Sequence, residues 1–197
     1  MFSEITAAMK KRMEELESID SKDRKDGTER SKRLRQIPPE TGKFVALMAA
    51  TAPKDGDWIE IGTSAGYSAM WIALAAKNAG KQVKTFEVLE EKVRLARETF
   101  AKAEVESQVD LIHGDFLDNQ ASIGKASFCF IDCEKHLYEE CFDAIAPKVI
   151  SGGLIVADNA INHYDALKSM IEKAEADERF DCLLVPIGKG EFVCRRK

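Results

Sequence analysis

Residues 57–66 read Asp57-Trp58-Ile59-Glu60-Ile61-Gly62-Thr63-Ser64-Ala65-Gly66, an apolar run of strand formers that stops at a glycine-rich turn. From Ser68 to Ala79 apolar residues then recur at three- and four-residue spacing, the mark of a helix with a buried face. A buried strand feeding such a turn and helix is the opening half of a βαβ unit, and that reading decides the fold. Working outward, further strands are expected at Gln82–Val88, Val109–Gly114, Ser127–Asp132, Gly153–Asp158, Cys182–Ile187 and Glu191–Arg195. Helices are expected at Glu90–Lys102, Leu137–Val149 and Tyr164–Asp177. Only Gly188-Lys189-Gly190 separates the last two strands, too short for a crossover, so one strand must run antiparallel. The expectation is an α/β fold: seven strands, mainly parallel, a C-terminal antiparallel hairpin, and helices on both faces.

A chain of 197 residues that is 45% hydrophobic can bury one sizeable core and is short for two. We expect a helical, charged N-terminal segment over 1–36 and a single domain over 37–197. A net charge of -5 argues against bulk attraction to nucleic acid or acidic membranes. Met1–Leu16 interleaves Lys10, Lys11, Arg12, Glu14 and Glu15 with apolar residues, unlike a secretory signal, and no run is long enough to span a bilayer. Five cysteines without a C-x-x-C pair suit reduced, packed thiols, so the expected compartment is the cytoplasm. Ile5–Ile19 reads as an amphipathic helix. Between Ser21 and Arg35 seven basic residues stand against three acidic ones, read as a solvated, partly mobile segment, with a lid or phosphate-seeking arm as the sharper alternative. Ile37-Pro38-Pro39-Glu40 starts a helix through Ala50, with prolines where a first turn tolerates them.

Three strand ends in register point to a nucleotide-type ligand. Glycines at Gly62 and Gly66 let backbone approach a ligand closely, and the following helix offers free N–H groups to a carboxylate. Glu60 is suited to the ligand's ammonium group. Glu87 ends the next strand, about 25 residues beyond Gly62, at the spacing where a carboxylate accepts both ribose hydroxyls, with Val88 beside it. At Gly114-Asp115 the small residue lets an adenine ring lie on the backbone and Asp115 accepts its amine; Glu87 or Asp115 could instead cap a helix. The same stretch spells G-x-S-x-G, which would make Ser64 the nucleophile of a serine hydrolase. That reading fails on order, because no strand precedes Ser64 to build an oxyanion hole, and Asp158 and His163 are too close together to supply the acid and base.

Asp132 ends the fourth strand and Asp158-Asn159 the fifth, and in an open parallel sheet these ends face one crevice. Two carboxylates and an amide oxygen are hard ligands with a combined charge of -2, suited to Mg²⁺, or to Mn²⁺ or Ca²⁺, completed by water and two hydroxyl oxygens. Nothing soft is offered to zinc. Lys135, three residues after Asp132, would stand above the metal as general base. His113, His136 and His163 receive no role.

With these residues in place, the chain resembles the class I, cation-dependent O-methyltransferases, the family of catechol and caffeoyl-CoA O-methyltransferases. The likeness runs from about Ile37 to the C-terminus. It covers Pro39-Glu40-Thr41-Gly42, Glu60-Ile61-Gly62-Thr63-Ser64-Ala65-Gly66-Tyr67-Ser68, Glu87, Gly114-Asp115, Ile131-Asp132-Cys133-Glu134-Lys135-His136-Leu137-Tyr138, Gly152–Asn159 and Pro186–Gly190. The resemblance implies a Rossmann-like methyltransferase sheet. It implies S-adenosylmethionine contacts from Ile37, Glu60, Gly62, Ser68, Glu87, Asp115 and Asp132, with Ser64, Val88 and Gly114 in the same loops. It implies Mg²⁺ at Asp132, Asp158 and Asn159, Lys135 as base, and a homodimer. Methyl transfer is an in-line displacement, so the protein mainly aligns the groups and ionises the hydroxyl. Many relatives carry an aromatic residue and an insertion after the Asp-Asn pair, whereas here Ala160-Ile161-Asn162-His163 leads directly into the next helix, implying an open acceptor pocket.

The acceptor expected first is a small molecule with vicinal hydroxyls, catechol-like or hydroxycinnamoyl-like. A hydroxylated nucleoside in tRNA is the alternative, on the strength of the basic run and open pocket. A non-catalytic S-adenosylmethionine-binding protein is a third.

Overall fold

Alternation along the strands decides which side chains meet. In a computed structural model describing all 197 residues, strands β1 (Asp57–Ile61), β4 (Ala126–Ile131) and β5 (Val149–Ala157) form the sheet's centre. Trp58, Phe128, Phe130, Leu154 and Val156 project to one face; Ile59, Ile61, Cys129, Ile131, Ile155 and Ala157 project to the other. Both faces are therefore apolar and each must be covered by helices.

The first face receives α1 (Ala7–Asp23), α2 (Pro39–Thr51), α3 (Tyr67–Ala79) and α4 (Glu90–Ala103); the second receives the short α5 (Phe116–Asn119), α6 (Tyr138–Ile145) and α7 (Tyr164–Ala176). With β2 (Val83–Glu87), β3 (Val109–His113), β6 (Phe180–Val185) and β7 (Glu191–Arg196), the seven strands lie in the order β3-β2-β1-β4-β5-β7-β6. Only β7 runs antiparallel, to both β5 and β6, as the three-residue connection requires. The order reverses between β1 and β4, and there the diverging loops open a crevice above the strand ends.

Among the boundaries that differ from the sequence expectation, two do so for plain local reasons. Strand β5 begins at Val149, four residues early, because Val149 pairs with Ala126 before the register jumps to Phe128 opposite Leu154. The extra residues are taken up by a bulge in which Gly152 adopts a left-handed φ of 79°. Helix α6 stops at Ile145, and Ala146–Lys148 close it as a 3-10 turn around Pro147, which has no N–H to continue the ladder.

The N-terminal helix is docked. Thr6 caps α1 by accepting from the Met9 amide at 3.1 Å. Met9, Met13 and Leu16 are buried, Arg12 donates to Thr99 Oγ1 of α4 at 2.9 and 3.2 Å, and the Tyr67 hydroxyl of α3 donates to Glu17 at 2.6 Å. No helix is long and apolar enough to cross a membrane.

The sheet's centre sets the stability. Phe128 is wholly buried and stacks at 6.0 Å on Trp58. Phe128→Ala should cost about 3–5 kcal/mol, read from urea unfolding midpoints, because the space it leaves cannot fully collapse.

Candidate active site

Where β1 ends, the chain turns through Gly62–Gly66 into α3. Gly62 sits at a φ of 100°, and a β-carbon there would lie 2.3 Å from the carbonyl oxygen of Asp132, so only glycine lets the β1 and β4 loops approach this closely. Ser64 is left-handed at 47° without being glycine. Its amide donates to Glu87 Oε2 at 2.8 Å, and its hydroxyl donates to the Leu34 carbonyl at 2.8 Å rather than to a histidine, so nothing activates it as a nucleophile.

A cavity of about 320 Å³ lies over this turn, within the range of small-ligand sites. It brings together Ile37, Gly62, Ser64, Ser68, Glu87, Val88, Gly114, Asp115 and Asp132, drawn from five separate parts of the sequence. Glu87 is held by two backbone amides, Ser64 on Oε2 and Leu89 on Oε1 at 2.9 Å, so its carboxylate is fixed at the cavity wall. Asp115 lines the cavity and also caps α5, accepting from the Leu117 amide at 2.8 Å. Val88 stands at the exposed rim.

Glu60 lies apart, sealed beneath the cavity floor. Thr85 donates to Oε2 at 2.5 Å, while Oε1 is buried with no partner. Burial pushes its carboxyl up to about 8, an effect eased by the hydroxyls of Ser68 and Thr85. Ser68 does face the cavity, so Glu60 reaches the ligand side through that hydroxyl.

At the cavity's far end the acidic cluster assembles. The Asn159 amide nitrogen lies 3.1 Å from Asp132 Oδ1 and 2.6 Å from Asp158 Oδ2, and Lys135 Nζ lies 3.2 Å from Asp132 Oδ1. The four residues singled out for metal and base chemistry thus share one point. Asn159 is left-handed at 70°, which aims its amide between the carboxylates. Asp158 is wholly buried and its Oδ1 has no partner; burial, and then the neighbouring Asp132 charge, push its carboxyl up. A cluster of three or more His, Cys, Asp or Glu side chains arranged for a metal is absent, since the third member here is an amide.

Two participants escaped the sequence reading. Tyr138, buried at the start of α6, accepts from Lys135 Nζ at 2.9 Å and donates to Asp132 Oδ1 at 3.4 Å. Its spacing of three from Lys135, at a helix start, was the available signal. Glu191 of β7 is buried beside Asp158, bonds Thr41 of α2 at 3.4 Å, and is pushed up to about 11 by burial and the Asp158 charge. Nothing in its local sequence marked it. His113, His136 and His163 are exposed.

A family model described as O-methyltransferase matches residues 4–197. Catechol O-methyltransferase from Niastella koreensis is 30% identical over 155 residues, covering 75% of this chain and 69% of that protein. Tricin synthase 2 from Oryza sativa subsp. japonica is 28% identical over 185 residues, covering 81% of this chain; the chain spans 62% of that relative's length. Among solved structures, the O-methyltransferase from Bacillus cereus in complex with SAH superposes with a TM-score of 0.79 at 22% identity, over 95% of this chain and 91% of that one. TomG from Streptomyces achromogenes, in complex with SAM, gives 0.74 at 21%, over 92% and 89%. Both share the fold.

The raised Glu60 carboxyl fixes the sign of a pH effect. A carboxyl pushed from 4.5 to about 8 by folding stabilises the native state below pH 4.5, and that contribution is lost as pH rises through 8. Glu60→Gln should therefore match the wild type in ligand-free melting temperature at pH 5 and melt progressively higher than it towards pH 8.5, checked by thermal scans across that range.

Proposed function

The chain belongs to the O-methyltransferase family, and on that premise we propose that it moves a methyl group from S-adenosylmethionine to a hydroxyl oxygen of a small acceptor with vicinal hydroxyls, at a divalent cation held by Asp132, Asp158 and Asn159. One observation carries this reading: Asp132 lines the nucleotide-sized cavity and at the same time touches Lys135 and Asn159. A methyl group leaving the cavity is thereby delivered to the acidic cluster.

The cavity's donors and acceptors suit S-adenosylmethionine, which would supply an electrophilic methyl on a sulfonium. Glu87, with its oxygens pinned by amides, presents its remaining lone pairs to the ribose hydroxyls. Glu60 and Ser68 suit the ammonium end, where Oε1 lacks a partner. Gly114 and Asp115 border the adenine side.

The cluster fits a hard cation on two grounds. Asp158 Oδ1 is buried and unpartnered, and two carboxylates crowd one dry spot with only an amide between them. A half-turn of the Asn159 amide would replace its nitrogen with oxygen and complete an all-oxygen donor set of the kind Mg²⁺, Mn²⁺ or Ca²⁺ takes. Such a cation, when bound, would polarise the acceptor hydroxyl and make its proton easier to lose. Lys135 then takes the proton. Its ammonium form is already provided for, because the Asp132 carboxylate, the Cys133 carbonyl at 3.2 Å and the Tyr138 oxygen at 2.9 Å match its three N–H groups.

Asp158→Ala should remove several kcal/mol of transition-state stabilisation, a rate loss of at least about a hundredfold, while leaving cofactor affinity nearly unchanged. Turnover with a radiolabelled methyl donor, run with and without chelator on catechol, a hydroxycinnamoyl thioester and tRNA carrying the hydroxylated nucleoside, tests this; full activity in chelator overturns the metal reading, and methylation of tRNA alone overturns the acceptor. Glu87→Ala should weaken cofactor binding about tenfold or more, the worth of one or two hydrogen bonds to a carboxylate, measured calorimetrically.

A further inference from the structure

We propose that residues 24–37 form a strap that must lift for the cofactor to exchange, and that Lys92 is the positioning residue that holds it shut. The inference rests on the cofactor reading of the cavity and adds to it a residue at the cavity's edge whose ammonium is given over to the strap's carbonyls.

The strap is irregular backbone between α1 and α2, and it forms one wall of the cavity through Leu34, Arg35, Gln36 and Ile37, opposite Gly62, Glu87 and Asp115. Backbone without a helix or sheet to pair with must find partners elsewhere. Here three successive carbonyls find them in the cofactor half of the molecule. Lys92 Nζ donates to the Lys32 carbonyl at 3.0 Å and the Arg33 carbonyl at 2.7 Å, and Ser64 Oγ donates to the Leu34 carbonyl.

Lys92 is the decisive member. It stands on the first turn of α4, just beyond Glu87, and is only 7% exposed. Burying an ammonium is costly unless it is well solvated by protein oxygens, and both of its hydrogen-bond partners belong to the strap. Its burial and the closed strap are therefore one event. Lifting the strap strips this ammonium of its acceptors, but it also opens it to water, so the clasp can open without leaving a charge stranded.

A second tie lies at the acceptor end. Arg35, left-handed at 55°, pairs with Glu134, two residues beyond Asp132. The wall itself is also tied to α1, where Asp23 accepts from the Leu34 amide at 2.7 Å and Asp20 from the Gln36 amide at 3.3 Å. Between the end of α1 and the clasp lies Gly27, at a φ of 84° with no atom near its missing side chain, and Pro38-Pro39 close the other end. A strap fixed at its ends, free at Gly27 and clasped by ionic and hydrogen-bonding side chains is built to move as a unit.

The test compares the full-length wild type with Lys92→Met, Lys92→Arg and Glu134→Gln. Two quantities are read: the release rate of radiolabelled S-adenosylhomocysteine chased with excess unlabelled compound, and amide hydrogen exchange of residues 24–37 in ligand-free protein. Lys92→Met keeps the apolar stem and should release the compound about tenfold faster, with kcat at saturating donor nearly unchanged, since clasp losses are expressed in dissociation. Exchange should rise in 24–37 and not in the sheet. Lys92→Arg, which can still donate to both carbonyls, should restore most of the effect. Should Lys92→Met not fold, Glu134→Gln decides by the same readouts, with a smaller acceleration. Release rates in Lys92→Met, or in Glu134→Gln where that variant decides, within twofold of wild type, or faster exchange spread evenly over the protein, would overturn the strap. Failure of the wild type to bind S-adenosylhomocysteine at all would instead overturn the cofactor reading on which it rests.

Discussion

The Gly62 turn and the Asp132 carbonyl touch, and the geometry above the sheet follows from that contact. The Asp132 amide donates to the Ile61 carbonyl and the Asp158 amide to the Ile131 carbonyl, each at 3.0 Å, so the ladder of the sheet continues one step past the strand ends. These two bonds place the carboxylates at positions 132 and 158 beside the glycine turn with the precision of a sheet rather than a loop. The side chains that do chemistry need only point upward from a frame already fixed. Enzymes gain most from groups held in advance where charge will develop, and the ladder provides that holding here.

The same frame concentrates carboxyl groups where water cannot reach. Glu60, Asp158 and Glu191 are all buried, and each has a carboxyl oxygen without a partner. A fold selected only for stability would replace them, since an unpaired buried carboxylate destabilises the native state or forces it to hold a proton. Ligands that bring positive charge, such as the sulfonium and the divalent ion proposed above, would relieve that cost. The nearby Lys135 pairs with none of the three; its ammonium is satisfied by Asp132, Cys133 and Tyr138.

The fold was legible because its determinants are local. Strand alternation, the glycine turn at Gly62 and the short Gly188–Gly190 connection each act within a few residues, and the observed sheet has the expected strands and the one antiparallel member. Strand ends in an open parallel sheet face one crevice, so Asp132, Asp158 and Asn159 could be placed together before any coordinates. What escaped depends on packing between distant segments. Glu191 meets Asp158 only because β7 inserts beside β5. The Ser21–Arg35 run, read as solvated on its composition, is tied down by Lys92 and Ser64, and charge content alone says nothing of where a carbonyl will find its donor. Glu60 shows a subtler limit: its residue type suits the ammonium group expected from the sequence, but its depth beneath the floor depends on the pleat and on Thr85.

Strand β7 lies between β5 and β6, so β6 has no partner in the sheet other than β7, and the outer edge of β5 is covered by nothing else. In a chain synthesised from its N-terminus, β1 to β5 can pair while this edge remains open, and the hairpin that closes it follows later. Pairings of this kind join residues far apart in sequence, with β5 at Leu154 meeting β7 at Arg195, and they form slowly because a long loop must close first. Until then a row of unpaired backbone groups flanks the strand that carries Asp158, a template for a neighbouring nascent chain. The buried Glu191 reaches its place beside Asp158 only when that strand is laid down.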